Sequence, residues 1–125
     1  MLLSSSLLFA LLTVTTPPVE RTQLRQSEHM YWRSINAHQF DLWLGKEEVW
    51  RLSTSASCPA LPAEGKLNLL TDHGRFKTQQ RIFPAQPDPC HLLSITPLPS
   101  NADHTLPGNQ IIPIEVHGVK GNNKP

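Results

Sequence analysis

The sequence has little net charge, few aromatic residues and only two cysteines. Its 125 residues include 11 Lys and Arg against 10 Asp and Glu, so the formal net charge at pH 7 is +1. A chain this close to neutral has no extended positive field with which to hold a phosphate backbone or an anionic bilayer. We therefore expect no nucleic-acid partner. The length leaves room for one domain at most.

The chain also lacks an apolar run of the ~20 residues that a membrane-spanning helix needs. A shorter run, LLFALLTV, covers residues 7–14, and Pro17 and Pro18 follow it closely enough to stop a helix. Such a run is typical of the hydrophobic region of a secretory signal. Residues 1–16 are therefore predicted to be a signal peptide or an N-terminal hydrophobic segment. The alternatives are a misassigned start codon and an uncleaved N-terminal anchor. We expect contact with a membrane only if the segment is such an anchor.

The two cysteines, Cys58 and Cys90, are not arranged as the C-x-x-C of a metal knuckle or a redox dithiol. The simplest interpretation is one disulfide, which would stabilise the fold by about 3–4 kcal/mol by restricting the unfolded chain. The alternative is a pair of unrelated buried thiols. Together with the apolar leader, a disulfide indicates a secreted or periplasmic protein.

Composition divides the rest of the chain into three parts. Residues 17–34 form a polar lead-in that we expect to be a short helix or an extended segment. Residues 35–98 carry the patterns of a β domain, and residues 99–125 are rich enough in Pro, Gly and Asn to predict a flexible tail. Within that tail, residues 111–116 are apolar enough for an added strand, which Pro113 would confine to an edge.

The predicted fold class is mainly β, a small antiparallel meander of about five strands with one disulfide. The strands are short runs of apolar and β-branched residues between turn residues. They are expected at residues 40–44, 49–52, 67–71, 75–83 and 91–96.

The first two predicted strands form the clearest hairpin of the chain. Two two-residue loops fit it, Gly45-Lys46 and Lys46-Glu47. The resulting registers differ by two residues, so each side chain faces the same way in both. In either register the face taken as core contains Phe40, Leu42, Leu44 and Val49, and the opposite face contains Asp41, Trp43 and Trp50.

A second hairpin is predicted around His73-Gly74, because glycine tolerates the positive φ that a tight turn requires. A two-residue loop there would set Asp72 opposite Arg75. The cations of this hairpin are interpreted as a solvated face that protects a sheet edge. They are Arg75, Lys77 and Arg81.

A series of residues resembles a family of small exported bacterial domains of unknown function. The series is Ile35, Trp-Arg-Leu at 50–52, Cys58-Pro59-x-Leu61, Cys90, and the L-x-I of Leu93 and Ile95. The resemblance covers residues 35–98. It implies a β-meander and an exported location, and it brings no catalytic motif.

Six histidines invite a metal hypothesis, but none of the spacings H-x-H, H-x-x-x-H or H-E-x-x-H occurs. Any site would have to be assembled from distant segments, such as His38, His73 and His91. We therefore predict no metal and no cofactor.

Catalytic patterns are missing as well. There is no G-x-S-x-G, and the adjacent Glu47 and Glu48 would point to opposite sides of an extended chain. No catalytic residue is predicted.

The aromatic residues of the first hairpin carry the functional hypothesis. If their face is open, Trp43, Trp50 and Asp41 form a platform for a ligand. If the lead-in with Tyr31 and Trp32 covers it, the same residues form a second core layer.

We therefore expect a non-catalytic binding or accessory module of the cell envelope, with an envelope protein or a glycan as partner. The rival hypothesis is a small hydrolase or metal-dependent enzyme that uses dispersed histidines. A third hypothesis is an inhibitor or chaperone that binds its partner by strand addition.

Overall fold

A computed structural model describes residues 19–84 and 90–116 of the chain. Every regular element in this part is a β-strand, which confirms the mainly β prediction. The predicted leader, the loop at residues 85–89 and the last nine residues of the predicted tail lie outside the described residues. The strands are β1 Gln23–Arg25, β2 Met30–Asn36, β3 Gln39–Leu44, β4 Glu48–Thr54, β5 Leu67–Thr71, β6 Arg75–Lys77, β7 Leu92–Pro97 and β8 Asn109–Glu115.

The strands form a six-stranded sheet in the order β5-β8-β2-β3-β4-β7 and a two-stranded sheet of β1 and β6. Among the strand pairs of the described residues, only β5–β8 is parallel. Two bridges join the sheets: Asp72 pairs with Arg75 between β5 and β6, and Arg21, just before β1, pairs with Ile95 of β7. The strands thus close into a ring around the core.

The prediction of a five-stranded meander is therefore wrong in extent and in order. The described part of the lead-in is extended, one of its two predicted forms, and contributes β1 and most of β2, while the predicted tail contributes β8. In β2, Met30 and Trp32 lie two residues apart and are both buried in the core, as the period of a strand requires for side chains on the same face.

Strand β8 follows β7 in sequence but lies between β5 and β2. Its ladder to β2 covers only Asn109 and Gln110, so Pro113 faces no partner strand on that side. The missing N–H of proline is therefore tolerated, as on an edge strand.

The β3–β4 hairpin has a three-residue loop, with Leu44 opposite Glu48 and Gly45 at φ +85°. Both predicted registers assumed two-residue loops. The odd loop length turns every side chain of β4 to the other face, so Val49 faces outward and Trp50 faces the core. The expectation that Trp43 and Trp50 share a face is wrong for this reason.

The β5–β6 hairpin has the predicted two-residue loop. His73 and Gly74 adopt φ of 54° and 76°, and the backbone groups of Asp72 and Arg75 exchange two hydrogen bonds. Positive φ at both loop positions is typical of the turn that best matches the twist of a hairpin. Strand β6 ends at Lys77, however, and does not continue to residue 83 as expected.

The interior of the ring is apolar and includes Trp32, Phe40, Leu52, Phe76 and Ile95, all less than 1% exposed. The disulfide between Cys58 and Cys90 borders this core, with Cα atoms 4.6 Å apart, which confirms the predicted bridge. It joins the segment after β4 to the residues before β7.

Candidate functional site

The predicted platform residues do not form an open surface. Trp43 is 1% exposed and Asp41 is fully buried, both on the outer face of β3. Trp50 is half-buried and packs against the core from the other face. A binding role for Trp50 stays a prediction.

Asp41 lies at the centre of a charged row that crosses three strands. Its carboxylate accepts a hydrogen bond from Arg33 of β2 at 2.9 Å and two from Arg51 of β4 at 2.8 and 3.2 Å. The hydrogen bond from Arg51 to Asp41 raises the pKa of that guanidinium. Both arginines are about three-quarters buried and committed to the carboxylate. This arrangement fits a structural role because both guanidinium groups compensate the buried carboxylate, and Arg33 also pairs with the Asp103 carboxylate at 3.4 Å.

The same row covers Trp43. The guanidinium of Arg33 lies 5.1 Å from the ring centre of Trp43 and also donates to the backbone oxygen of Asp103 at 2.6 Å. Asp103 belongs to the irregular segment that connects β7 to β8, so this connection is held to the outer face. Trp50 makes a similar cation–π contact, since the guanidinium of Arg21 lies 4.9 Å from its ring centre.

The candidate metal ligands are dispersed. His38 lies in the turn between β2 and β3, His73 in the β5–β6 loop, and His91 directly before β7. In residues 19–84 and 90–116, no three potential ligands of the types His, Cys, Asp and Glu come together.

A cleft on the outer side of the β5–β6 hairpin has the features of a binding site. Its volume is about 290 Å³, close to the lower end of the range for small-molecule sites. The lining combines a cationic part, made of Arg75, Lys77 and Arg81, with an apolar part, made of Leu70 and Val116. The described residues that line it are Leu70, Thr71, Asp72, Arg75, Lys77, Gln80, Arg81 and Val116.

The local fold explains why the cations meet there. In β6, the buried Phe76 lies between Arg75 and Lys77, so both cationic side chains point to the outer side. Directly after β6, the chain turns at Gln79, which adopts φ +67°. This turn returns Gln80 and Arg81 to the same cleft.

The rim of the cleft is held by a carboxylate at the end of β8. Glu115 accepts hydrogen bonds from the N–H of Gly74 at 2.8 Å, from the N–H of His73, and from the hydroxyl of Thr71 at 3.1 Å. The backbone N–H of Val116 also donates to the carbonyl of Thr71 at 2.9 Å. The loop and the apolar side of the cleft are thereby fixed to one another.

Among the described residues of the lining, positive charge exceeds negative charge. Three cations face one carboxylate, that of Asp72, which lies 3.2 Å from the Lys77 ammonium and 2.8 Å from Nδ1 of His73. The Arg75 guanidinium has no side-chain hydrogen bond or ion pair within the described residues. The cleft can therefore offer a planar, bidentate donor to an anion.

The sequence interpretation assigned these cations to a solvated face and missed the cleft. The alternation of Arg75, Phe76 and Lys77 does predict two cations on the outer face. The sequence does not predict that Arg81 reaches the cleft, because nothing in it indicates a positive φ at Gln79.

No protein-family model matches this chain, and no curated protein or solved structure matches it. The resemblance to small exported bacterial domains stays a prediction. In the part of the chain that the structure describes, no helix is long and apolar enough to cross a membrane.

Proposed function

We propose that this protein is an exported, non-catalytic binding module of the cell envelope, and that the cleft beside β5 and β6 binds an anionic group of its partner. The observation that carries the proposal is the convergence of Arg75, Lys77 and Arg81 on one cleft of about 290 Å³. Arginine pairs bidentately with carboxylate and phosphate groups, so it gives such a site both affinity and orientation.

The proposed location is supported by the disulfide and by the N-terminal sequence. A single disulfide cross-links a small core, and structural disulfides persist in oxidising compartments. The apolar run at residues 7–14 is the expected export signal. In such a compartment, an anionic ligand can come from an acidic glycan or from a carboxylate of an envelope protein.

The ligand that fits is small. A ligand of about 13 non-hydrogen atoms at about 0.3 kcal/mol per atom gives a Kd on the order of 1 mM. Affinity in this range would suit a module that holds its partner through repeated or multiple contacts.

The test is an NMR titration that follows the arginine Nε–Hε signals. Glucuronate, hexanoate and inorganic phosphate serve as anionic probes, and glucose serves as the neutral control. We expect at least one anion to shift the Arg75 signal saturably, while glucose leaves it in place.

The variant Arg75→Gln should weaken binding by about tenfold, because it removes a charge-assisted hydrogen bond of about 1.5 kcal/mol. Lys46→Gln removes the same charge from the β3–β4 loop, which does not line the cleft, and should leave binding unchanged. If none of the three anions binds saturably, the proposal is rejected.

A further inference from the structure

The lining of the cleft has a cationic part and an apolar part, and this combination narrows the class of ligand. Arg75 and Lys77 project from β6, and Arg81 joins them after the turn at Gln79. The aliphatic members of the lining are Leu70 of β5 and Val116, which directly follows β8. A ligand that fills the space therefore contacts both cationic and aliphatic groups.

We infer that the ligand is an amphipathic monocarboxylate, in which a carboxylate group is attached to a short aliphatic chain. This inference rests on the proposed function. The carboxylate lies against Arg75, and the aliphatic part lies against Leu70 and Val116. Two sources supply this chemistry: the C-terminal aliphatic residue of a peptide, and a free short-chain carboxylic acid.

The strand geometry fixes the positions of the two aliphatic side chains. Leu70 follows the fully buried Leu69 and precedes the buried Thr71, so its side chain lies on the outer face of the sheet. Val116 is 45% exposed and is held next to β5 by the hydrogen bond from its N–H to Thr71. Two aliphatic side chains are thus kept at the solvent boundary, where a ligand can bury them.

The lining argues against a hydroxylated ligand. No aromatic ring of residues 19–84 or 90–116 lines the cleft, so these residues offer the face of a sugar no aromatic surface on which to pack. Asp72, the only carboxylate among the described lining residues, lies 3.2 Å from the Lys77 ammonium and 2.8 Å from Nδ1 of His73.

Apolar contact makes affinity depend on chain length. Each methylene group buried against Leu70 and Val116 should tighten binding about fourfold, until the cleft is filled. Hexanoate should then bind at least about tenfold more tightly than acetate. The neutral 1-hexanol should bind far more weakly than hexanoate, because it leaves the Arg75 guanidinium without an anion.

The experiment compares acetate, hexanoate, 1-hexanol, N-acetyl-leucine, glucuronate and inorganic phosphate in the same NMR titration, with the intact chain. N-acetyl-leucine represents a peptide C terminus, and hexanoate represents a free acid. The tighter of the two identifies the source.

A matched variant tests the apolar side alone. Val116→Thr keeps the shape of the side chain but replaces a methyl group by a hydroxyl. Because Val116 is 45% exposed, the fold should be retained. We expect it to weaken hexanoate binding about threefold and to leave acetate binding unchanged. An equal loss for acetate and hexanoate would contradict contact between Val116 and the aliphatic chain.

Three further results overturn the inference. They are glucuronate or phosphate binding as tightly as hexanoate, hexanol binding as tightly as hexanoate, and affinity that does not increase with chain length. The first and third would leave the proposed anion site intact. Absence of binding by every anion would reject the proposed function itself, so the two failures are distinguishable.

Discussion

Arg33 of β2 donates a hydrogen bond at 2.9 Å to the carboxylate of Asp41 on the neighbouring strand β3, and this aspartate is fully buried. Arg51 of β4 donates to both oxygens of the same carboxylate. One buried anion therefore connects three adjacent strands of the six-stranded sheet. Both arginines remain partly exposed to water, whereas the Asp41 carboxylate is not. The charge of Asp41 is therefore stabilised mainly by its two partners.

Replacing Asp41 should destabilise the fold strongly. In Asp41→Ala the two guanidinium groups lose their shared acceptor and repel each other, so we expect a loss of about 3 kcal/mol, read from the midpoint of urea denaturation. Asp41→Asn keeps the shape and one acceptor and should lose less. Glu47→Gln, in the exposed β3–β4 loop, is the control. Equal midpoints for Asp41→Ala and the control would show that the row contributes nothing.

Asp103 should make a small contribution to stability that depends on acid pH. Hydrogen bonds from Thr105, with a smaller effect of Arg33, hold the pKa of this carboxyl below its ordinary value of 3.8. A pKa that is lower in the folded state gives stability that is present above 3.8 and is lost as the pH falls through the folded value.

The titration of Asp103 can be followed directly through its carboxyl carbon by NMR. The midpoint should lie below 3.8, and Thr105→Ala should move it upward because that variant weakens the capping turn. The stability difference between the wild type and Asp103→Asn should disappear at the acid end of the range. A midpoint at or above 3.8 would contradict the assigned cause.

The disulfide should account for a large part of the stability. It closes a 32-residue separation, so replacing Cys58 and Cys90 together by Ser should cost about 3–4 kcal/mol. Mass spectrometry of the mature protein should show alkylation of both cysteines only after reduction. The same spectrum would give the N terminus and so test the predicted leader. Alkylation without reduction would mean free thiols.

Iodide should quench only one of the three tryptophans. Trp32 and Trp43 are 0% and 1% exposed, whereas Trp50 is half-buried next to the cation of Arg21. We expect Trp50→Phe to remove the quenchable fraction of the fluorescence and Trp43→Phe to retain it. Quenching that survives in Trp50→Phe would place another indole at the surface.

Glu115 should control the rigidity of the β5–β6 loop. Its carboxylate accepts the N–H groups of His73 and Gly74, so Glu115→Ala should speed hydrogen exchange of the Gly74 amide about tenfold. Glu64→Ala, at an exposed loop position, provides the comparison. Unchanged exchange in Glu115→Ala would show that the loop holds its shape without the carboxylate.

Local chemistry was sufficient to predict the β5–β6 hairpin, because a His73-Gly74 loop needs positive φ and glycine supplies it. It was insufficient for the β3–β4 hairpin. Gly45, Lys46 and Glu47 fit loops of two or three residues equally well, and a difference of one residue reverses the facing of Trp50.

The cleft depended on long-range pairing that the sequence does not display. Val116 reaches Leu70 only because β8 pairs in parallel with β5, across more than 40 residues of chain. The tail composition around β8 favoured flexibility, whereas the ladder to β5 and the short contact with β2 order it. Tertiary pairing overrode local preference there.

The position of β8 in the sheet also has a consequence for biosynthesis. Because β8 lies between β5 and β2, the ring cannot close until residues 109–115 have been synthesised and released from the ribosome. Most of the pairing is between residues distant in sequence, which favours slow folding. For the exported protein proposed above, slow folding would leave the chain unfolded during translocation, so that Cys58 and Cys90 would be oxidised only as the fold forms.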